Sequence, residues 1–540
     1  MTRPEKFWPC PFSFGDNSNL RSKQGSMSTE KFVASINKSY TTPLPAIFLG
    51  AGVLDGLIIA EAKVNLPLRM MNRHGLVTGA TGSGKTRTLQ LMAEQLSAAG
   101  VPVFMPDMKG DLSGLGKEGT ANERINERAA ALGIPFKPNS FPVELYSLSG
   151  KLGAQMRATV SEFGPVLLSK ILGLNDTQGG VLNIIFKYAD DKKLPIADFN
   201  DLKKVLNYLT DGPGAAEIKN DYGKIASATS STILRKIVSL EQQGVHSIFG
   251  ETSFDIDDLF QKIDGRGVIS LLNVSDIQQQ PAIFSTFMLS LLAELYQHLP
   301  EAGDLDKPKL IFFLDEAHLL FNEAPKAFMD QIEQVIRLIR SKGVGVFFCT
   351  QLTQDIPPNV LAQLGNRVHH VIRAFTPNDA KALRETVKTF PRSEYYDMEQ
   401  QFTQLGTGQA FITVLNEKGI PTETVVTHLA PPSSVMGPVS EVEYKQMVQG
   451  SDMYRKYKTA VDPQSAFEIL DARMKQDEEK EEEIKEQNKR TTSGRKEKST
   501  FEEVISSPVA KQVGRELVRG VFGVLFGSTR RSSRRKGGFF

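Results

Sequence analysis

The stretch Gly79-Ala80-Thr81-Gly82-Ser83-Gly84-Lys85-Thr86 has the spacing Gly-x-x-x-x-Gly-Lys-Thr. Glycines at such intervals let backbone N–H groups turn inward as a nest for anionic oxygens. The lysine then reaches the β- and γ-phosphates of a nucleotide, and the hydroxyl after it holds Mg2+. Farther on, the apolar run Lys309-Leu-Ile-Phe-Phe-Leu314 ends in two carboxylates, Asp315 and Glu316. Asp315 suits Mg2+, held directly or through water, and Glu316 suits a general base that polarises the attacking water. Each motif has a blander reading, as a glycine turn with a chance lysine or an acidic turn at a sheet edge. The two together predict ATP as ligand and Mg2+ as cofactor.

These groups need a scaffold. Gly75–Thr78 reads as a buried strand before the loop, and Thr86–Ala99 as a helix after it, closed by Gly100. Val101–Asp107 reads as a second strand, with prolines at odds with its middle. Gly150–Asp258 turns helical in period, and strand-like runs return at Gly267–Val274, Lys309–Leu314, Val344–Thr350, His369–Ala374 and Gln409–Leu415. Helical segments separate them, and that alternation predicts an α/β fold with a largely parallel sheet covered on both faces.

In such a sheet the ligand lies at the carboxyl ends of the strands. Gln351, which ends the run Val344–Thr350, is thereby placed to sense the γ-phosphate or orient water, or else to serve as a simple cap. Arg340 closes the helix Ala327–Ser341. It suits either the helix macrodipole or an arginine finger offered to a neighbouring subunit's ATP, and Arg367 and Arg373 are its rivals. Asp107-Met-Lys-Gly-Asp111 puts charge beside the same strand ends, either near nucleotide or a subunit interface or as a plain turn. His74, His318, His369 and His370 lack metal-ligand spacing and are read as structural.

The loop Gly79–Thr86, Asp107-Met-Lys-Gly-Asp, Leu314-Asp-Glu-Ala-His-Leu-Leu and Cys349-Thr-Gln together resemble the HerA–FtsK superfamily of ATPases. Arg157-Ala-Thr-Val-Ser-Glu-Phe-Gly-Pro and Ile339-Arg-Ser-Lys-Gly-Val-Gly-Val are similar to its bacterial HerA-like (YjgR-type) members. The resemblance spans roughly Leu66 to Ser434. It implies a RecA-like P-loop core, Mg-ATP hydrolysis and a homo-oligomeric, hexameric ring with sites between subunits. Carried over by motif position, Gly79 to Thr86 would bind nucleotide, with Thr86 and Asp315 on the metal. Glu316, Gln351 and Arg340 would serve catalysis, and DNA enters as the polymer by analogy alone. Archaeal HerA proteins carry a sizeable β-barrel before the loop, whereas only the short segment 31–73 stands there in this chain. The alternative, from another class, is an assembly ATPase whose nucleotide state controls a protein partner.

Composition is that of an ordinary globular protein, 40% hydrophobic and 23% charged. Two cysteines cannot build a disulfide framework, and no apolar run is long enough to span a bilayer, so the expected compartment is the cytoplasm. The net charge of +2 conceals +9 between Gln487 and Phe540 and −7 before it. The expected organisation runs from a disordered extension (1–30) and a β-rich segment (31–73) to the first part of the core (74–149). A mostly helical insertion (150–260), the second part of the core (261–435), a helical extension (436–475) and a charged, basic tail (476–540) follow. Met27 offers an alternative start. The tail, disordered or helical, carries an amphipathic pattern from Phe501 to Phe526 that suits docking on the ATPase body, a membrane surface or nucleic acid.

Overall fold

The computed structural model describes residues 18–278, 280–321 and 326–492. The basic pattern from Phe501 onward and the first 17 residues lie outside that range. The strands are β1 (Ala46–Leu54), β2 (Leu57–Pro67), β3 (Gly75–Thr78), β4 (Val103–Asp107), β5 (Val143–Ser147), β6 (Ala154–Gln155), β7 (Lys262–Ile263), β8 (Arg266–Gly267), β9 (Ile269–Asn273), β10 (Leu310–Leu314), β11 (Val344–Thr350), β12 (Asn366–His369), β13 (Gln409–Thr413) and β14 (Val425–Leu429). All but the β7–β8 hairpin join one sheet, in the order β2-β1-β14-β13-β12-β3-β11-β10-β4-β9-β5-β6.

From β12 to β6 every pairing is parallel, and from β12 back to β2 every pairing is antiparallel. Strands covered on both faces must be apolar on both. Ile311, Phe312 and Phe313 of β10 are fully buried, with Val346 and Phe348 of β11 beside them. This is the RecA-like arrangement, with the loop-bearing strand β3 between β12 and β11 and the carboxylate strand β10 one place beyond. Pro106 is tolerated in β4 because the ladder to β10 is registered only at Val103 and Phe104, before a missing N–H matters. Between β6 and β9 the chain forms five helices, Val160–Ile171, Asp176–Lys192, Phe199–Thr210, Ala215–Asp221 and Ser227–Gln242.

Two local expectations are corrected. A helix spans Ser18–Tyr40, where an extension to residue 30 and then strands were expected. Its signal is Phe32, Ile36 and Tyr40, four apart on one face and all buried; the Tyr40 hydroxyl donates to the carbonyls of Ile412 and Glu423 at 2.9 and 2.7 Å. The strand expected at His369–Ala374 instead ends at His369. Its partner β3 runs out there, the last registered pair being His369 with Thr78, and beyond Thr78 the chain becomes the glycine loop.

Asp471 to Thr492 belongs to a second compact unit, the later part of the helix Ala466–Thr492. Lys475 pairs with Asp471 at 3.0 Å along its exposed face.

Candidate active site

Strands β3, β11 and β10 are neighbours and parallel, with Thr78 opposite Thr350 and Phe348 opposite Leu314. The glycine loop, Gln351 and the Asp315-Glu316 pair therefore leave the same sheet edge. A cleft of about 380 Å3 opens there. Its walls are Thr81, Gly82, Gly84, Lys85 and Thr86 of the loop, the carboxylates of Asp315 and Glu316, and Arg87, Lys109, Asp111 and Thr407.

The loop's shape depends on absent side chains. Gly79 and Gly84 have φ of +145° and +114°, and a Cβ at Gly79 would lie 2.5 Å from His370 Cβ, so any larger residue would push the loop off its seat. The Ala80 N–H donates to the Val371 carbonyl at 2.9 Å and the Gly408 N–H to the Ser83 carbonyl at 3.1 Å, which pins the loop from behind. The Lys85 ammonium donates to the carbonyls of Gly79 and Ala80 at 2.6 and 3.2 Å. It thus lies along the mouth of the nest, and the helix Lys85–Ala98 turns its N-terminus to the same space.

Asp315 is half-buried in the cleft wall, and desolvation raises its pKa; its Oδ1 accepts from the Glu316 N–H at 3.0 Å. Glu316 has φ of +51°, a left-handed conformation costly for a residue with a Cβ. Its Oε2 lies 3.4 Å from His318 Nδ1. Cys349 on β11 bonds to Asp315, and burial pushes its thiol well above the usual range.

The Asp107 turn is more than a surface corner. Asp107 is buried, and its carboxylate accepts four backbone N–H groups, from Lys109, Gly110 and Asp111 on Oδ1 and from Leu112 on Oδ2, at 2.8 to 3.3 Å. Burial raises its pKa while the N–H groups hold it down. The turn so fixed puts Lys109 and Asp111 on the cleft wall. Asp107→Ala orphans those four donors and is expected to lower the unfolding free energy by about 2–4 kcal/mol, read as a lower urea midpoint. An unchanged midpoint would mean that the turn holds itself.

Gln351 sits at the cleft's edge but is exposed and off its wall. Arg340 begins the short turn Arg340–Lys342 before β11, at the opposite edge of the sheet. Seven strand residues separate the edges, on the order of 20 Å, so Arg340 does not reach its own chain's cleft. It is exposed and makes no ion pair among the described residues; burial and nearby Arg73 lower its pKa. Arg367 is occupied, donating to the carbonyls of Leu364 and Thr389. Arg373 is exposed, two residues past Val371 on the cleft's own edge.

Two side chains brace this edge from behind. His370 Nε2 bonds the Thr88 hydroxyl at 2.9 Å, and its pKa is lowered to about 4 by burial and then by the charge of Lys85. Arg128 donates to the carbonyls of Thr407, Gly408 and Leu429, and so holds Thr407 in the cleft wall. His370 is structural, as expected, while Arg128 carries no local signal in the sequence. The short Gly406-Thr407-Gly408 turn before β13 could have been found as a second close backbone approach.

The family description "Helicase HerA-like C-terminal" matches residues 57–531. The chain belongs to the HerA-like helicase family. This HerA-like chain is a P-loop ATPase. It is 22% identical over 391 residues to the DNA double-strand break repair helicase HerA of Sulfolobus acidocaldarius, covering 68% of each chain. It is 22% identical over 354 residues to the DNA import protein CedB of the same organism, covering 65% of this chain and 51% of that one. Among solved structures, the plasmid coupling protein TrwB in complex with ADP and Mg2+ aligns with 74% of this HerA-like chain and 100% of its own, at 14% identity and a TM-score of 0.45. No described helix is long and apolar enough to cross a membrane.

Proposed function

We infer that the protein is a Mg-dependent, ATP-hydrolysing motor that works in the cytoplasm as a homo-oligomeric, hexameric ring and acts on DNA. The observation that carries this reading is the single cleft shared by the Gly79–Thr86 loop, Thr86, Asp315 and Glu316. The site fits the groups it would hold: a glycine cradle that a Cβ would fill, a lysine at its mouth, and a hydroxyl and a carboxylate of the hard-oxygen kind that Mg2+ prefers. Mg2+, when bound, neutralises charge on the transferring phosphoryl group. The chain does the rest. Loop N–H groups between Gly79 and Thr86 that are not already bonded within the chain, as those of Ala80 and Ser83 are, and the Lys85 ammonium would bind the phosphates, Thr86 and Asp315 would hold the metal, and Glu316 would take the proton of the attacking water. Gln351, one strand over at the cleft's edge, would orient that water.

Arg340 supports the ring. Exposed, without an ion pair among the described residues, and remote from its own cleft, it suits delivery to a neighbour's cleft. DNA rests on the family and on what the relatives' names say of them. Steady-state ATPase with and without DNA, across a salt series, tests this part: stimulation that fades as salt rises supports the motor. Turnover indifferent to DNA would instead favour a protein-directed assembly ATPase.

Lys85→Ala removes a charge-assisted contact to the phosphates. Nucleotide affinity is expected to fall about 10- to 150-fold, measured with a fluorescent ATP analogue. Wild-type affinity in that variant would sink the site assignment.

A further inference from the structure

Beyond β12 the chain builds a surface that the cleft does not use. Thr376 caps the helix Pro377–Val387. Its hydroxyl accepts from the Asp379 N–H at 3.2 Å, and the Asp379 carboxylate accepts from the N–H groups of Thr376 at 2.9 Å and Phe375 at 3.1 Å. That closed capping box, with proline in the first turn, holds the backbone under Phe375 firmly. Yet the Phe375 ring is 82% exposed.

A single exposed apolar side chain is ordinary. This one is held in place and opens a track of cations. Lys381, Arg384 and Lys388 follow at intervals of three and four residues, within about 60° of one another around the helix axis. All three are exposed, while Ala382, Leu383 and Thr386 of the same helix are buried. Lys381 and Arg384 make no ion pair among the described residues; Lys388 pairs with Glu385, which borders the track, at 3.0 Å. Exposed Arg373 stands two residues before the ring.

We propose that this face binds single-stranded nucleic acid, with phosphates along Lys381, Arg384 and Lys388 and one base stacked on Phe375. The proposal rests on the DNA-directed reading above and gives it a contact surface. A base offers a flat π-face whatever its identity, and a cation track follows a backbone of evenly spaced charges; together they make a sequence-tolerant single-strand site.

The test is fluorescence anisotropy of the full chain with labelled single- and double-stranded oligonucleotides, over a salt series. Phe375→Ala is expected to weaken single-strand binding about 5- to 100-fold and duplex binding much less. The triple variant Lys381→Gln, Arg384→Gln, Lys388→Gln is expected to weaken both and to flatten the single-strand salt slope by about two. Basal ATPase without nucleic acid should stay at the wild-type level in each variant. If the wild type binds and is stimulated while the variants match it, this surface is wrong and the motor reading stands. If the wild type binds no nucleic acid, both fall. Variants that fail to assemble but bind as monomers would show the face to be a contact between copies, which also overturns the proposal.

Discussion

Replacing Glu316 by glutamine is expected to leave ATP bound and to cut turnover about 10²- to 10⁴-fold. In the proposed site the phosphates are held by the glycine loop and Lys85, whose ammonium bonds the Gly79 and Ala80 carbonyls, while the Glu316 carboxylate lies beside His318. Glutamine keeps the shape and can still bond His318, but it cannot accept a proton from water. The backbone also argues for a role: a non-glycine residue at φ +51° beside the phosphate loop is held at a cost of about 1–3 kcal/mol, and such strain tends to be kept where a side chain must be aimed. Single-turnover hydrolysis with retained nucleotide after gel filtration measures both halves. Turnover within a few-fold of wild type would remove Glu316 as the base.

The second large effect belongs to Arg340. With alanine there, each cleft is intact but receives no cation from its neighbour, and turnover should fall about 10³-fold or more, while assembly and ATP affinity persist. The placement at the far edge of the sheet makes a sharper forecast. In mixtures, an Arg340→Ala cleft next to a Glu316→Gln subunit has its own base and borrows the neighbour's arginine. Two nearly dead variants should therefore regain activity together, up to a fraction set by random mixing. Mixtures no more active than their parents would show that Arg340 acts within its own chain or not at all, and would turn attention to Arg373.

What could be read beforehand was local. The loop at Gly79 and the carboxylates at Asp315 and Glu316 are short motifs whose spacing carries their chemistry, and β3, β10 and β11 are apolar runs long enough to stand out. What could not be read depends on partners far along the chain. The helix Ser18–Tyr40 has a three-residue stripe whose receiving surface includes Ile412 and Glu423. Strand β5, Val-Glu-Leu-Tyr-Ser, has no long apolar run and is a strand because β9 pairs with it. Strand β12 stops where β3 stops, a limit set by its neighbour. The antiparallel margin joins Gly50 to Leu429, and the braces from Arg128 and His370 cross similar spans, so no window along the chain contains both ends.

The strand order has one more consequence, for the chain during its synthesis. β3 emerges early, but the strands that flank it, β11 and β12, begin only at Val344 and Asn366. At about 5–20 residues per second, roughly 270 residues of delay amount to on the order of 15–50 s. During that interval the nascent polypeptide carries the whole glycine motif with neither neighbour to seat it. Ribosome-bound intermediates shorter than this are expected to be blind to ATP, and the nucleotide can act as a folding ligand only once about two-thirds of the 540 residues have been made.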